Sequence, residues 1–219
     1  STPNSSIGVI YTQMHLEKYG QYKHDLFTKL NFPFLPKKKI IDIGCGGGSD
    51  AEIFINEYRL DTYGMDVYKH KNIKKIKGLK FKKSGIEKIP FPKETFDYAF
   101  AHDVLHHIDD GKLNSSKYTG ALLKLARVVK KGGRIIIVEG NRYNPLFYPH
   151  MVLMKKHNHF RQSYFENLMK QVFKDVEFRY FEAHVYPPRF IRFWRLYDWL
   201  MDNFCPKQFL AYNIAIVSV

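Results

Sequence analysis

The sequence predicts an α/β fold in which helices cover both faces of a doubly wound, parallel sheet. Between residues 39 and 138, short apolar runs alternate with helical patterns, which is typical of repeated strand-helix-strand units. Residues 40 to 50 read as a buried strand followed by glycines at alternate positions, a turn typical of the first strand-to-helix junction in such sheets. With 219 residues and 45% hydrophobic content, the chain suits a single domain over residues 1 to 219.

The apolar runs predict the order of the elements. We expect strands at residues 39 to 43, 61 to 66, 79 to 83, 96 to 101 and 133 to 139, and two more at 176 to 186 and 211 to 219. Helical spacing of apolar residues predicts a helix over residues 11 to 30, and Ser163 with Glu166 has the capping-box spacing for a helix over 163 to 173. This layout gives an N-terminal helical segment (1 to 36), a ligand-binding core (37 to 140) and a substrate-side region (141 to 219).

The glycines after the first strand predict a ligand-binding loop. Gly44, Gly46 and Gly48 allow the main chain to turn tightly and to pass close to a ligand. Dinucleotide-binding enzymes place G-x-G-x-x-G at the same junction, but the third glycine of that pattern would fall at Ser49. The loop therefore favours a nucleotide-like ligand other than a dinucleotide.

Polar side chains mark the ends of the predicted strands. Asp42, Asp66, Ser84, His102 and Glu139 occupy such ends, and ligands of parallel sheets bind beyond the carboxyl ends of the strands. Asp42 precedes the first glycine, where its carboxylate would repel a pyrophosphate and suit a cationic ligand. Asp66 ends the second strand, where an acid commonly accepts hydrogen bonds from ribose hydroxyls. An adenosine without a diphosphate fits both acids.

Four stretches occur in the order in which one enzyme family carries them. Residues 42 to 48 read Asp-x-Gly-x-Gly-x-Gly, 86 to 97 contain an L-P-F-x-x-x-x-F-D-like stretch, 104 to 108 read V-L-H-H-I, and 126 to 134 contain an R-V-L-K-P-G-G-like turn in which Lys131 replaces the proline. Together they resemble the motifs of class I S-adenosylmethionine-dependent methyltransferases over about residues 40 to 140. The subgroup that methylates small molecules, including quinone precursors, is the most similar.

The resemblance implies a Rossmann-like sheet, mostly parallel with an antiparallel last strand, and S-adenosylmethionine as cofactor. Its motifs place the cofactor against Asp42, Gly44, Cys45, Gly46, Asp66, Val67, Ser84, Gly85, Ile86 and His102. Ser84-Gly85-Ile86 replaces an acid-containing tripeptide that often holds the adenine in this family. The adenine contacts are therefore expected from backbone groups or from the Ser84 hydroxyl.

The candidate catalytic residues follow the fourth strand. His102, Asp103, His106 and His107 are candidates to remove a proton from an acceptor, and His106 is favoured over His107. A histidine at a helix start can equally cap or pack. The layout after the fifth strand suggests Asn141, Tyr143 and Tyr164 as substrate residues. No metal is expected, because no cysteine or carboxylate cluster lies beside His157 and His159 in the sequence.

Charge and aromatic content leave several partners open. Lys plus Arg exceed Asp plus Glu by 35 to 21, a net charge of +14, and eight lysines lie between residues 69 and 83. We favour a solvated lysine-rich face over an RNA-binding one, because no arginine and only Phe81 interleave there. The aromatic and arginine-rich segment 187 to 206 predicts a helix that packs on the sheet or a second subunit, or that rests on an anionic membrane or covers an apolar substrate.

These observations favour one function over three others. The leading interpretation is a methyltransferase acting on a small, apolar or aromatic acceptor. The alternatives are an RNA methyltransferase, a sensor or scaffold that binds S-adenosylmethionine without methyl transfer, and a nicotinamide dehydrogenase. Two cysteines give no disulfide framework and no run reaches the roughly 20 apolar residues of a membrane span, so we expect a cytoplasmic protein.

Overall fold

A computed structural model describes residues 15–109, 113, 115–154, 159–184 and 188–219. These residues form a seven-stranded sheet with the order β3-β2-β1-β4-β5-β7-β6. Strands β1 to β5 pair in parallel, whereas β7 is antiparallel to both β5 and β6. The predicted fold class is therefore confirmed. The strands are β1 Lys39–Ile43, β2 Asp61–Asp66, β3 Lys80–Lys83, β4 Phe96–His102, β5 Val129–Gly140, β6 Val176–Phe181 and β7 Tyr212–Ser218.

Helices and shorter turns connect the strands. The α-helices in the described ranges are α1 Gln21–Leu30, α2 Ser49–Asn56, α3 Ser115–Val128, α4 Gln162–Val172 and α5 Ile191–Phe204. Short 3-10 turns include Leu16–Tyr19, Lys71–Lys75, Ile86–Lys88, Leu105–His107, Pro188–Phe190 and Lys207–Phe209, and Tyr148–Met154 is π-helical. In the part of the chain that the structure describes, no helix is both long and apolar enough to cross a membrane.

The sheet separates two hydrophobic clusters because successive strand residues point to opposite faces. On β1, Ile40 packs with Phe27 of α1 and Phe54 of α2, whereas Ile41 belongs to the cluster on the other face. That second cluster takes Phe165 and other apolar residues from α3 and α4. Helices thus cover both faces, and the carboxyl ends of β1, β2, β4 and β5 remain together at one edge.

Two predicted helix boundaries are wrong. The leading helix is interrupted by Gly20, which adopts φ 89°, and α1 begins only after it. Residues 11 to 14 of that predicted helix lie outside the described part of the chain. Helix α4 begins at Gln162, so Ser163 is inside the helix and is not its cap.

The predicted sixth strand is too long. Strand β6 ends at Phe181, because the next backbone N–H, of Glu182, donates to Asp202 Oδ1 close to the end of α5 and not to a neighbouring strand. Residues 185 to 187 include the predicted end of this strand and the first position of the aromatic segment, and they lie outside the described residues. The rest of the aromatic segment forms a 3-10 turn, α5 and the start of the connection to β7.

Candidate functional site

The glycine loop joins β1 to α2 at the carboxyl edge of the sheet. Gly44 has φ 67° and a Cβ there would lie 2.4 Å from Val104 Cγ2, so only glycine fits this position. The backbone N–H groups of Gly44 and Cys45 both donate to Met65 O, at 2.7 and 3.1 Å. These bonds fix the start of the loop against the end of β2.

Asp66, the last residue of β2, also holds the loop. Its Oδ2 accepts the Gly46 N–H at 2.8 Å, and its Oδ1 accepts the Tyr68 N–H at 2.9 Å. A carboxylate offers about four acceptor positions, so about two remain for a ligand. Asp66 can therefore accept hydrogen bonds from hydroxyl groups while it orders the loop.

A cavity of about 840 Å³ opens between the glycine loop, the end of β2 and the segment after β3. Apolar side chains from Ile43, Val67 and Ile86 share its wall with the Asp66 carboxylate. The Ser84 hydroxyl donates to Lys88 O at 2.6 Å, so its proton is already used within the chain. Seven of the residues predicted for the cofactor and for catalysis line the cavity, namely Gly44, Asp66, Val67, Ser84, Gly85, Ile86 and His107.

Other residues predicted for the cofactor lie behind that wall or beside it. Asp42 is 2% exposed, and burial, together with the Asp50 charge, raises its pKa well above the ordinary value. Its side chain does not line the cavity, because it is buried near the start of α2. Cys45 is also buried, which raises the pKa of its thiol, and Gly46 lines an adjoining cleft with Asp66.

His102 belongs to a largely buried network that fastens α1 to the sheet. Its Nδ1 lies 2.9 Å from Asp50 Oδ2, and its Nε2 lies 2.7 Å from the Tyr22 hydroxyl. Lys23 of α1 donates to Asp50 Oδ1 at 2.5 Å, and Tyr22 donates to the Tyr212 hydroxyl at 2.6 Å. His102 was predicted to contact the cofactor, but its ring bonds within this network and does not line the cavity.

A second cavity, of about 440 Å³, lies on the other side of Asp103. Aromatic rings dominate its walls, and several histidines share them. Asp103 lines both cavities, so the two spaces meet at the end of β4. The lining residues of the second cavity are Tyr22, Asp103, Leu146, Phe147, His150, Met151, His159, Ala183, His184, Trp194 and Tyr212.

Glu139 organises the segment that follows β4. Its Oε1 accepts the backbone N–H groups of Val104 and Leu105, at 2.9 and 2.6 Å, and its Oε2 lies 2.7 Å from His106 Nδ1. Burial disfavours the charged form of His106, but the charge and hydrogen bond of Glu139 outweigh it and raise the pKa of this histidine. Glu139 is fully buried, so it positions His106 and does not itself reach solvent.

The two predicted catalytic histidines occupy different environments. His107 is exposed and lines the first cavity, whereas His106 is 5% exposed and packs against His159, with ring centroids 4.5 Å apart. The ring centroids of His106 and His107 lie 4.0 Å apart. Of the two, His107 is the one whose ring contacts the space open to a ligand.

The three residues suggested for the substrate do not line either cavity. Asn141 is fully buried and donates to the carbonyls of Gln208 and Leu210, at 2.7 and 2.9 Å, so it holds the chain after β5. Tyr143 lies in a separate surface cleft. Tyr164 stacks on the buried ring of Phe160, and its hydroxyl donates to the chain before α3. Layout alone therefore did not identify residues beside the second cavity.

The structure adds residues that the sequence did not single out. His159 reaches the site because Phe160 forms a bridge with Asn141, a contact between distant residues that carries no local signal. Phe147, His184 and Trp194 arrive from the same substrate-side region. Glu139 differs from these residues, because the sequence marked it as a polar side chain at the end of the fifth predicted strand, although not as a site residue.

Known proteins match the same part of the chain. A family model described as "Methyltransferase domain" matches residues 41–137. An uncharacterized methyltransferase of Schizosaccharomyces pombe is 30% identical over 126 residues, 51% of this chain and 43% of that protein. A sterol 24-C-methyltransferase of Gibberella zeae is 30% identical over 123 residues, 51% of this chain and 30% of that protein. The matched region is less than half the length of both relatives.

A solved structure shares the whole fold. A SAM-dependent methyltransferase from Archaeoglobus fulgidus superimposes with a TM-score of 0.64 at 17% identity, covering 89% of this chain and 91% of that one. The matched domain, the glycine loop and the fold are those found in class I S-adenosylmethionine-dependent methyltransferases. These similarities support S-adenosylmethionine as the cofactor.

Proposed function

We propose that this protein transfers the methyl group of S-adenosylmethionine to a small molecule that occupies the second cavity. The observation that carries the proposal is the position of Asp103, which lines the cofactor-side cavity and the aromatic cavity at once. Two ligands bound on either side of it would be neighbours. Such proximity and orientation supply roughly 7 to 11 kcal/mol of a reaction barrier in favourable cases.

The first cavity has the chemistry of a nucleoside site. Val67 and Ile86 offer apolar surface for a purine, and Asp66 keeps acceptor positions for ribose hydroxyls. Gly44 also lines this cavity, so its main chain borders the space for the ligand. When bound, S-adenosylmethionine supplies an electrophilic methyl group on a sulfonium. The remaining task of the chain is to hold an acceptor beside it and to exclude water.

The second cavity favours an apolar or aromatic acceptor. Phe147, Trp194 and Tyr212 form much of its wall, and a volume of about 440 Å³ lies within the usual range of small-molecule sites. The relative named as a sterol methyltransferase supports an apolar acceptor. Where the acceptor must lose a proton, the candidate bases are Asp103, which lines both cavities, and His107, which lines the first. Such a base typically contributes about 10²- to 10⁴-fold.

Calorimetry with two matched variants tests the cofactor half of the proposal. Asp66→Ala should abolish binding of S-adenosylmethionine and of its demethylated product, while NAD should not bind the wild type. Asp61→Ala is the control, because Asp61 begins the same strand and its side chain pairs with surface Lys80, at 2.7 Å. Equal binding by both variants, or a preference for NAD, would refute this site.

Turnover separates an enzyme from a sensor. Release of the demethylated cofactor should depend on added phenols, hydroxylated aromatics or apolar alkenes when these are screened as acceptors. If the protein binds S-adenosylmethionine tightly but methylates no compound of these classes, the result would support a role as a sensor. An aromatic cavity beside the cofactor space favours the enzyme, since a sensor needs no second cavity.

A peripheral membrane contact is a second candidate role for α5. Phe193, Leu196, Trp199 and Leu200 are each 45% to 61% exposed, and Phe204 is 71% exposed. An exposed aromatic helix face on a chain of net charge +14 favours an anionic lipid surface. Such a surface would bring an apolar acceptor close to the second cavity, because another residue of the same helix lines that cavity.

A further inference from the structure

Four metal-ligand side chains converge where the two cavities meet. Asp103, His106, Glu139 and His159 each place a ligand atom so that all four atoms lie within 4.8 Å of one another. They come from three separate segments, namely the turn after β4, the end of β5 and the chain before Phe160. Except for Asp103, they are buried.

The cluster combines two carboxylates with two imidazoles and contains no lysine or arginine. Among the described residues, Asp103 and Glu139 pair with histidines, and Glu139, which is fully buried, also accepts two backbone N–H groups. A buried carboxylate needs an opposite charge or strong hydrogen bonding to offset its lost hydration. Histidine protonation can meet part of this need, and a divalent cation can meet all of it.

Asn213 gives an independent observation beside the cluster. Glu139 and Asn213 are paired residues of β5 and β7, so their side chains extend from the same face of the sheet. Asn213 is fully buried, and neither polar atom of its amide has a hydrogen-bond partner among the described residues. A buried amide of this kind normally bonds to protein, water or an ion, so this region has unfilled polar capacity.

The backbone around the cluster is arranged for close approach. Asp103 has φ 53°, a left-handed conformation that is uncommon for residues other than glycine and that concentrates at functional sites. The Gly140 N–H donates to Asp103 Oδ1 at 3.0 Å, which fixes the carboxylate. A Cβ on Gly140 would lie 2.8 Å from His159 Nδ1, so this glycine also makes room for the His159 ring.

We propose that Asp103, His106, Glu139 and His159 form a binding site for one divalent transition-metal ion between the cofactor cavity and the acceptor cavity. Two imidazoles with two carboxylates suit Zn²⁺, Mn²⁺ or Fe²⁺, whereas Ca²⁺ and Mg²⁺ prefer oxygen ligands alone. Glu139 Oε2 and His106 Nδ1 lie 2.7 Å apart, so a bound ion would replace the proton that these two ligand atoms share.

This site goes beyond the proposed methyl transfer. The sequence predicted no metal because no carboxylate lies near His159 along the chain. In the structure two carboxylates, Asp103 and Glu139, lie close to His159, so that reason no longer holds. His157, the other histidine of that expectation, lies outside the described residues.

Metal titration of the tag-free chain of 219 residues tests the site directly. After treatment with EDTA, Zn²⁺ and Mn²⁺ are titrated by calorimetry in the absence of cofactor, and bound metal is counted by elemental analysis after gel filtration. The wild type should bind one ion per chain. His159→Ala should lose this binding, and Glu139→Gln should weaken it roughly 10- to 100-fold. His150→Ala should bind as the wild type does, because His150 lines the same cavity but is not in the cluster.

Two further measurements keep the result interpretable. The electron paramagnetic resonance spectrum of bound Mn²⁺ should change in Glu139→Gln, which a binding site elsewhere would not produce. Far-ultraviolet circular dichroism and urea unfolding of each variant report whether the fold is intact, independently of cofactor binding. Absence of saturable binding by the wild type, or equal binding by wild type and His159→Ala, would overturn the metal site and leave the proposed methyl transfer standing.

Discussion

The Asp66 carboxylate accepts the backbone N–H of Gly46 at 2.8 Å, so the glycine loop and the end of β2 form one hydrogen-bonded unit. The second oxygen of the same carboxylate accepts the N–H of Tyr68. A change in either segment therefore alters the other. Cofactor affinity should therefore depend on two kinds of residue: those that contact the ligand, and those that hold the loop and the strand end in position without contacting it.

Gly44→Ala should destabilise the protein and abolish cofactor binding. The new Cβ would lie 2.4 Å from Val104 Cγ2, and φ 67° is strained for alanine. The comparison is Gly46→Ala, which has φ 49° but meets no atom within 4 Å. Chemical denaturation should give a larger loss of unfolding free energy for Gly44→Ala than for Gly46→Ala. A Val104→Ala change should restore part of that loss, and failure of this rescue would contradict the steric explanation.

Lys23→Met should lower the free energy of unfolding by roughly 3 kcal/mol, because it leaves a buried carboxylate with one charged partner fewer. Lys23 lies 2.5 Å from Asp50 and both side chains are largely buried. Burial disfavours the charged form of Asp50, but Lys23 and His102 outweigh it and lower the pKa. Urea unfolding of Lys23→Met, Asp50→Asn and the double variant measures the coupling. If the losses of the two single variants simply add in the double variant, the two residues do not interact.

Stability should depend on pH through Asp97. Burial alone would raise the pKa of this carboxyl, but hydrogen bonds from Lys130 and from the Lys39 N–H outweigh it and lower the pKa below its ordinary value. A lowered folded-state pKa stabilises the protein above the unfolded-state pKa, and this contribution disappears as the pH falls through the folded-state pKa. Asp97→Asn should therefore cost stability at pH 7, and the cost should shrink as the pH falls below about 4. Urea unfolding across this range checks it, and a cost that stays constant would contradict this origin.

The sequence predicted the sheet and the residues that line the first cavity well because their signals are local. Gly44 and Asp66 sit at strand ends, and the hydrophobic periodicity that marks the strands also places those ends at one edge. Asp42 shows the limit of this reasoning. Its position in the chain matches the motif, but only packing near α2 decides that its side chain is buried.

The second cavity could not be predicted because it is built from distant segments. Trp194 comes from α5, His159 from the chain before α4 and Tyr22 from α1. No local pattern says that these residues meet. Asn141 has the expected position after β5, yet its amide bonds to two backbone carbonyls before β7 and does not line a cavity. In each of these cases the contacts of the side chain, and not the order of the strands, determine whether the residue lines a cavity.

The exposed face of α5 should bind anionic vesicles. Phe193, Trp199 and Phe204 project apolar rings into solvent, so replacing all three by serine should leave the fold intact. Sedimentation with vesicles that contain phosphatidylserine should pull down the wild type and much less of the triple variant. Neutral vesicles should retain less of both. No sedimentation of the wild type with either vesicle would end this proposal, whereas equal sedimentation of the triple variant would assign binding to the lysines alone.

The two tryptophans of α5 lie in different environments, so substituting each in turn distinguishes the second cavity from the exposed face of the helix. Trp194 lines this cavity, whereas Trp199 lies further along α5 and is 54% exposed. Trp194→Ala removes aromatic wall from the proposed acceptor site and should raise the Michaelis constant for the acceptor at least several-fold, since burying such a ring is worth about 1.5 to 3 kcal/mol. Trp199→Ala should leave that constant unchanged.

Fluorescence gives the same comparison a second readout. The chain has two tryptophans, so in Trp199→Ala the remaining tryptophan is Trp194, and acceptor binding should change its emission. In Trp194→Ala the remaining ring lies on the helix surface, and the acceptor should leave its emission unchanged. A Michaelis constant that is raised equally by both substitutions, with no emission change from Trp194, would place the substrate outside this cavity.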